Sequence, residues 1–431
     1  MTSNAPSSAT HNGINIIGVA GFLASLYACN FYSIYGISAV IIALVGYALP
    51  ILLLEVIFLR TPWRDSVGLD FSRRNLSWNR VFTKLFGLYG SFGFVAFLYW
   101  LFPEYRDAFY TTYWEGLGVA LPWVLMLAFP YMAFMDMVMK EPEDSYYRFG
   151  CFLSFDWQSL NFRQIGQHML GWMVKGFFLP LMFTGINGNL AGVSGMNLTS
   201  FTSGFEGFFR SAVLICYTLD LMVGVVGYLM TIRLFDTHIR STEPTLFGWW
   251  MCIMCYQPFH TVFLRIYLNY GGSEDNWLGW MHDYPNLEVV WGSVALIALI
   301  FYMSATINFG CRFSNLTHRG IITKGMYGIT KHPAYICKNF HWWLVFTPFI
   351  AHGDFFDTLR SCLLLAGINV VYFMRARTEE RHLSHDPKYV EYALWMNDHS
   401  IFRHLAKRIP FLRYKAPADW ETYPKPYQGI K

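Results

Sequence analysis

About ten apolar segments, each near the roughly 20 residues that a helix needs to cross a bilayer, follow one another along this 431-residue chain. They fall at about 14–31, 35–59, 85–103, 116–139, 166–186, 208–231, 247–268, 288–308, 335–352 and 357–375. Nothing else in the sequence restricts the fold as strongly. The expected class is an all-α, polytopic integral membrane bundle of about ten transmembrane helices. Composition agrees, with 54% hydrophobic, 19% aromatic and only 14% charged residues and a positive mean hydropathy, far from soluble-domain averages. The formal net charge of +4 is small and gives no argument for nucleic acid, so the lipid bilayer is the first partner expected.

The loops orient the bundle, because Lys and Arg in short loops collect on the cytoplasmic side. One set carries Arg60, Arg64, Arg73, Arg74, Arg80 and Lys84, then Lys140, Arg148 and Arg163, then Arg233 and Arg240, then Arg312, Arg319, Lys324 and Lys331. The alternate loops at 104–115, 187–207, 269–287 and 353–356 hold only Arg106. This alternation predicts both termini in the cytoplasm. Tyr99-Trp100, Trp249-Trp250, Trp277 with Trp280, and Trp342-Trp343 suit interfacial aromatic belts. Four regions follow: a flexible tail at 1–13, a bundle of about seven spans at 14–285, a C-terminal membrane core at 286–400 and a basic cytoplasmic tail at 401–431.

Ionisable residues inside spans need a partner or a wet cavity. Glu55, Asp136 and Arg265 are expected at interfacial helix ends, and His260 also falls within a span; Lys175 and Asp220 lie deeper in adjacent spans and are candidates for a structural ion pair. Cys252 and Cys255 read as buried packing residues, since no second ligand pair accompanies them. The run Gly185-Ile186-Asn187-Gly188-Asn189-Leu190-Ala191-Gly192 lacks a phosphate-loop pattern and reads as an outer loop, and Asn197-Leu198-Thr199 is a formal glycosylation sequon. No internal repeat of the kind that marks many secondary transporters is visible.

Chemistry concentrates at two successive boundaries near the C-terminus. The first is Gly325-Met326-Tyr327-Gly328-Ile329-Thr330-Lys331-His332-Pro333-Ala334-Tyr335, preceded by a polar, Gly-broken loop. Proline lacks an N–H and disfavours helix at the residue before it, so His332 is expected to be extended at the mouth of the next span. The second boundary is Arg375-Ala376-Arg377-Thr378-Glu379-Glu380-Arg381-His382. On a continuing helix Arg375 and Glu379 are four apart, which puts a carboxylate and basic groups on neighbouring faces. One helical hairpin separates the two clusters, so both return to the same membrane face.

Together these residues resemble the C-terminal core of the isoprenylcysteine carboxyl methyltransferases and their phospholipid-methylating relatives. Their pattern is Gly-x-Tyr, Arg-His-Pro-x-Tyr and Glu-Glu, and here Lys331 replaces the Arg. The resemblance covers roughly residues 286–400, about a quarter of the chain, and it also takes in the segment Asp386-Pro387-Lys388-Tyr389-Val390-Glu391-Tyr392, expected to lie amphipathically on the inner face. It implies an integral membrane methyltransferase that uses S-adenosyl-L-methionine. By position, Gly325, Tyr327, His332, Pro333, Tyr335, Glu379 and Glu380 become cofactor-site candidates, and His332, Tyr335 and Arg377 catalytic candidates, with His382 and His385 as alternatives; no metal is implied. The implied acceptor is a lipid or prenylated amphiphile reached from the bilayer, with the catalytic face cytoplasmic. Two other readings stand beside it. Sterol reductases that hold NADPH share the length and the span count, although their Arg-Asp-Glu and Lys-Tyr-Gly-x-Asp-Trp runs are here Thr378-Glu379-Glu380 and Lys388-Tyr389-Val390-Glu391-Tyr392. A lipid-binding or transport protein that keeps the motif as scaffold is the non-catalytic reading.

Overall fold

The structure, a computed structural model, describes residues 6–262, 276–350 and 354–422. The chain opens with helices α1 (Asn12–Phe31), α2 (Gly36–Leu59), α3 (Trp78–Leu101), α4 (Thr111–Val138), α5 (Ser145–Leu153), α6 (Phe162–Ser194), α7 (Leu198–Thr202) and α8 (Phe205–Leu229). Strand β1 (Ser241–Thr242) precedes α9 (Leu246–Ile253), α10 (Phe259–Thr261), α11 (Asn276–Met281) and α12 (Pro285–Ile307). Strand β2 (Thr317–His318) leads to α13 (Pro333–Phe346), α14 (Phe355–Leu383), α15 (Pro387–His399) and α16 (Arg403–Arg408). The two strands pair antiparallel, Ser241 opposite His318 and Thr242 opposite Thr317. Among the described residues every other element of any length is helical, as spans in hydrocarbon require.

Among the described residues eight helices are long and apolar enough to cross a membrane: α1, α2, α3, α4, α6, α8, α12 and α14. They match eight of the ten expected spans and make this a multi-pass membrane bundle. The other two expected spans differ. The segment at 247–268 begins as α9 but stops at Ile253, short of Pro258, and its residues beyond 262, Arg265 included, lie outside the described residues. The segment at 335–352 is α13, whose 14 residues rise only about 21 Å before Thr347 turns left-handed (φ 41°) ahead of Pro348. Conversely α6 runs on to Ser194, so the Gly185–Gly192 stretch expected as a loop is helix.

In lipid no hydrophobic force drives helix against helix, and close packing has to do that work. α1 and α2 meet through glycines: a Cβ on Gly46 would sit 2.9 Å from the Gly21 carbonyl oxygen. The largest core lies between α1, α2, α6 and α8, where Phe22, Tyr47, Ile51, Phe178, Ile186 and Met222 are fully buried. The basic loops gather at one end of this bundle. Asp70 and Lys140 donate from their backbones to Val138 and Gly68, Arg64 reaches Asp236, and Arg233 reaches the Val67 carbonyl. At the opposite end Asn187 meets Thr112, and Phe209 packs on Trp277 at 4.9 Å.

The expected loose tail is, from residue 6 onward, a docked strap. Ala9 N–H donates to the Ile321 carbonyl at 2.9 Å, Thr10 Oγ1 to the Asn308 carbonyl at 2.7 Å, and Thr323 Oγ1 to the Pro6 carbonyl at 2.6 Å. Ile321, Asn308 and Thr323 are buried residues at and after the end of α12, and the Asn308 carbonyl also accepts from Asn15 Nδ2 at 3.0 Å, so the strap helps satisfy polar groups that are shut off from water.

Charges inside the bundle are compensated, though not always as the spacing suggests. Glu55 and Asp136 sit near helix ends yet are buried: Arg312 Nη1 lies 2.7 and 2.8 Å from the two Glu55 oxygens, and Asp136 holds Arg80 at 2.9 Å and Lys84 at 3.1 Å. Lys175 and Asp220 do not pair. Lys175 lies 3.4 Å above the Trp172 ring, and Asp220 accepts from Tyr302 at 2.7 Å and Thr306 at 2.8 Å. Buried Arg319 donates to the carbonyls of Thr237, Gly227, Phe313, Met230 and Cys311. Gly227 and Met230 end α8, so the guanidinium satisfies the orphan carbonyls and the negative pole of that helix. Burial and the like charge of Arg312 pull Arg319 down to about 9, still a cation at neutral pH. Cys252 and Cys255 are buried free thiols.

Breaking the Arg312–Glu55 pair strands a buried carboxylate. Arg312→Met is expected to cost about 3–5 kcal/mol in denaturant unfolding from detergent micelles, and adding Glu55→Gln to restore much of that loss. Equal stability of the single variant and the parent would contradict the pairing.

Candidate functional site

Two helix ends build the site. His332 is the residue before α13 (φ −128°, ψ 56°) and Pro333 its first helical residue, where a missing N–H costs nothing. Pro333 is buried, and one turn on Tyr335 faces the same side as His332, the rings stacked at 5.7 Å. The second end is α14, which does not stop where its apolar run does. It continues through Leu383 and carries Arg375, Arg377, Glu379, Glu380 and Arg381 on a regular helix.

The carboxylates occupy neighbouring but different environments. Glu380 is buried; its Oε1 lies 2.5 Å from Lys331 Nζ and 3.2 Å from His332 Nε2, and its Oε2 is 2.8 Å from Arg377 Nη1. Glu379 is more open. It accepts a short hydrogen bond from the Tyr335 hydroxyl and lies 3.2 Å from Arg375 Nε. Arg375 is buried among rings, its guanidinium 5.0 Å from Tyr335, 5.5 Å from Tyr256 and 6.0 Å from Tyr372, and it donates to Asn315 Oδ1 at 2.6 Å. A guanidinium stacked and forked in this way is held in one orientation.

This layer has a wet side and an oily side. On one lies an open cleft of about 370 Å³ lined by Arg377, Glu380, Arg381, Ser384, His385 and Tyr414–Pro417, within the roughly 300–1,000 Å³ of small-molecule sites. On the other is an apolar pocket of about 210 Å³ between α9, α10 and α14, lined by Met254, Cys255, His260, Leu363, Leu364, Gly367, Ile368, Val371 and Tyr372. Glu380 and Arg377 border the first and Tyr372 the second, with Tyr335 and Arg375 between them.

Gly325 and Tyr327 have a supporting place. Gly325 is left-handed (φ 68°), and a Cβ there would come 2.6 Å from Asn12 Nδ2, so only glycine fits beside the strap. Asn308 staples that turn: its Oδ1 accepts from Met326 N–H at 2.9 Å and its Nδ2 donates to Asn12 Oδ1 at 3.1 Å. The Tyr327 carbonyl accepts from the Tyr392 hydroxyl at 2.6 Å, which ties the loop to α15, where Tyr389 and Tyr392 are buried rather than spread on a surface.

His382 and His385 stand beside the carboxylates without meeting them. His382 Nε2 is 2.9 Å from Ser241 Oγ, and His385 Nδ1 is 3.0 Å from the His382 carbonyl and lines the cleft. Nearby, His318 Nε2 is 3.1 Å from Asp386 Oδ2. Burial lowers His318 below its ordinary 6.5 against the opposing pull of the Asp386 hydrogen bond. Asp386 itself stays below its usual range: burial pushes it up most, but the His318 bond, the Lys388 backbone N–H and the positive charge of Arg240 together outweigh that. Burial, joined by the surrounding arginines, holds His238 well below 6.5. Asn315, Tyr256, Ser384, Tyr414 and Lys415 belong to the site but were not legible as such. They come from segments with no motif of their own, and only the fold brings them in.

His318 and His238 each take up a proton less readily in the fold than in the unfolded chain, so the folded state loses stability as pH falls below about 6.5. Thermal unfolding in detergent from pH 7.5 to 5.5 should show a falling midpoint, less steep in His238→Asn or His318→Gln; a flat profile would contradict it. No protein-family model, curated protein or solved structure matches the chain.

Proposed function

We propose that the protein is an integral membrane methyltransferase that uses S-adenosyl-L-methionine and acts on a lipid or prenylated amphiphile at the cytoplasmic face. One observation carries this reading: the residues that resemble the isoprenylcysteine methyltransferase pattern pair up, His332 with Glu380 and Tyr335 with Glu379, and connect a charged cleft, which Glu380 lines, to an apolar pocket lined by Tyr372, whose ring meets Tyr335 at 5.4 Å. A reaction between a water-soluble donor and a membrane-borne acceptor needs that arrangement. The cleft offers groups suited to an amino-acid moiety. Arg377, half-exposed and on the Glu380 Oε2 side, matches a carboxylate fork, while Glu379 and Glu380 match an ammonium.

The donor, when bound, supplies a methyl group on a positively charged sulfur, which keeps the bonding electrons when the acceptor takes the methyl. The chain's own contribution is positional. The stacked His332 and Tyr335 rings offer a π face to a cation, Arg375 fixes Tyr335 and Glu379 from behind, and the apolar pocket keeps water away from the acceptor's side. An acceptor carboxylate releases no proton. For an amine or hydroxyl a base is needed; His332, Tyr335 and Glu379 are the groups to take that proton, and Glu380 lies 3.2 Å from His332 Nε2 to stabilise an imidazolium there.

The reductase reading keeps one observation in its favour: Arg377, Arg381 and Lys415 give the cleft a cationic wall fit for the phosphates of NADPH. Calorimetry on the detergent-solubilised protein separates the two. S-adenosyl-L-methionine should bind, and Glu380→Gln and His332→Ala should each weaken it about tenfold or more. Binding of NADPH alone would overturn the methyltransferase in favour of a reductase.

A further inference from the structure

Beyond α14 the polypeptide still presents apolar side chains to its surroundings. Ile401 is 62% exposed, Leu405 46% and Phe411 63%, on a stretch from which no transmembrane helix follows among the described residues. On a water-facing tail such a patch would be a liability. Its position explains it. The Phe411 ring packs edge-on against Phe373 at 6.0 Å, and Phe373 is the last aromatic residue of α14 before the charged run from Arg375. The Ile401 N–H donates to the Ile329 carbonyl at 3.2 Å, and Ile329, in the motif loop, is itself 40% exposed. The patch therefore lies at the level where the bundle's hydrocarbon belt ends.

Charge completes the picture. From Ile401 to Lys415 the chain carries Arg403, Lys407, Arg408, Arg413 and Lys415 and no Asp or Glu. All five are exposed, and among the described residues only Arg413 pairs with a carboxylate, Asp398 at 3.3 Å. Apolar side chains flanked by cations, beside a transmembrane helix, are the chemistry of a segment lying in the interface of an anionic leaflet.

We propose that Ile401–Lys415 docks on the anionic phospholipid headgroups of the bilayer that holds the helices, and that the docked segment forms one wall of the cleft. The link to the cleft is covalent and short. Tyr414 and Lys415 line it, the Tyr414 hydroxyl is 2.6 Å from Ser384 Oγ, the Tyr414 backbone is clasped by Asn397 at 2.9 and 3.0 Å, and Lys331 Nζ sits 5.2 Å from the Tyr414 ring. An anionic surface thus anchors the chain within two residues of a group that touches the partner of Glu380. The docking stands whether the cleft serves a methyltransferase or a reductase.

The test is amide hydrogen exchange on the full chain in nanodiscs of phosphatidylcholine alone and of phosphatidylcholine with phosphatidylglycerol. Residues 401–415 should exchange on the order of tenfold more slowly in the anionic discs, an effect lost at high salt and in the Arg403→Gln/Lys407→Gln/Arg408→Gln variant. Unchanged protection of α13 and α14 would show that this variant keeps its fold; if it does not, the lipid and salt dependence of the parent decides. Equal protection in neutral and anionic discs would overturn the proposal. So would a folded variant that responds like the parent, or the same protection from inorganic phosphate in neutral discs.

Discussion

Two guanidinium groups buried side by side, Arg312 and Arg319, hold the molecule together at the point where its halves meet. Arg312 joins Glu55 of α2 to the carbonyls of Phe235 and Asp236, and Arg319 gathers the end of α8, Thr237 and the turn after α12. Each brings a charge into the protein interior, which is expensive unless every donor is used. Here carbonyl oxygens and one carboxylate use them. The result is a rigid junction from which β2 and the motif loop depart in a set direction, so the place of His332 depends on contacts made by the N-terminal helices.

The site shows the same economy of charge. Glu380 serves Lys331, His332 and Arg377 together, while Glu379 serves Tyr335 and Arg375. One carboxylate thus gathers the loop and the helix, and the other orders the aromatic layer beneath. A ligand entering the cleft meets groups that already have partners, so binding exchanges ion pairs rather than filling empty valences. Arg377, the more exposed of the Glu380 partners, has the most freedom to be exchanged.

Much of this was readable in the sequence because the signals were local. Long apolar runs mark α1 to α4, α6, α8, α12 and α14; the proline after His332 marks the start of α13; the four-residue spacing of Arg375 and Glu379 marks a helix that continues past its apolar part. Local signals also misled. Lys175 and Asp220 lie in adjacent spans, but Asp220 turns toward α12 and Lys175 toward its own Trp172. The glycines of 185–192 pack within α6 instead of ending it, Gly185 against Leu221 and Gly192 against Leu214. Asn315, Tyr256 and Tyr414 enter the site only by tertiary contact, and neither composition nor period encodes that.

The strap at residues 6–12 carries a consequence for the order in which the molecule is made. Thr10 and the Asn308 carbonyl it binds are 298 residues apart. At ordinary rates of synthesis Thr10 emerges roughly 15–60 s before its partner does. Through that interval the turn at Gly325 does not yet exist, and the strap has nothing to close on. Completion of the motif loop is therefore a late event in biogenesis, reached only after the intervening helices have been delivered to the membrane.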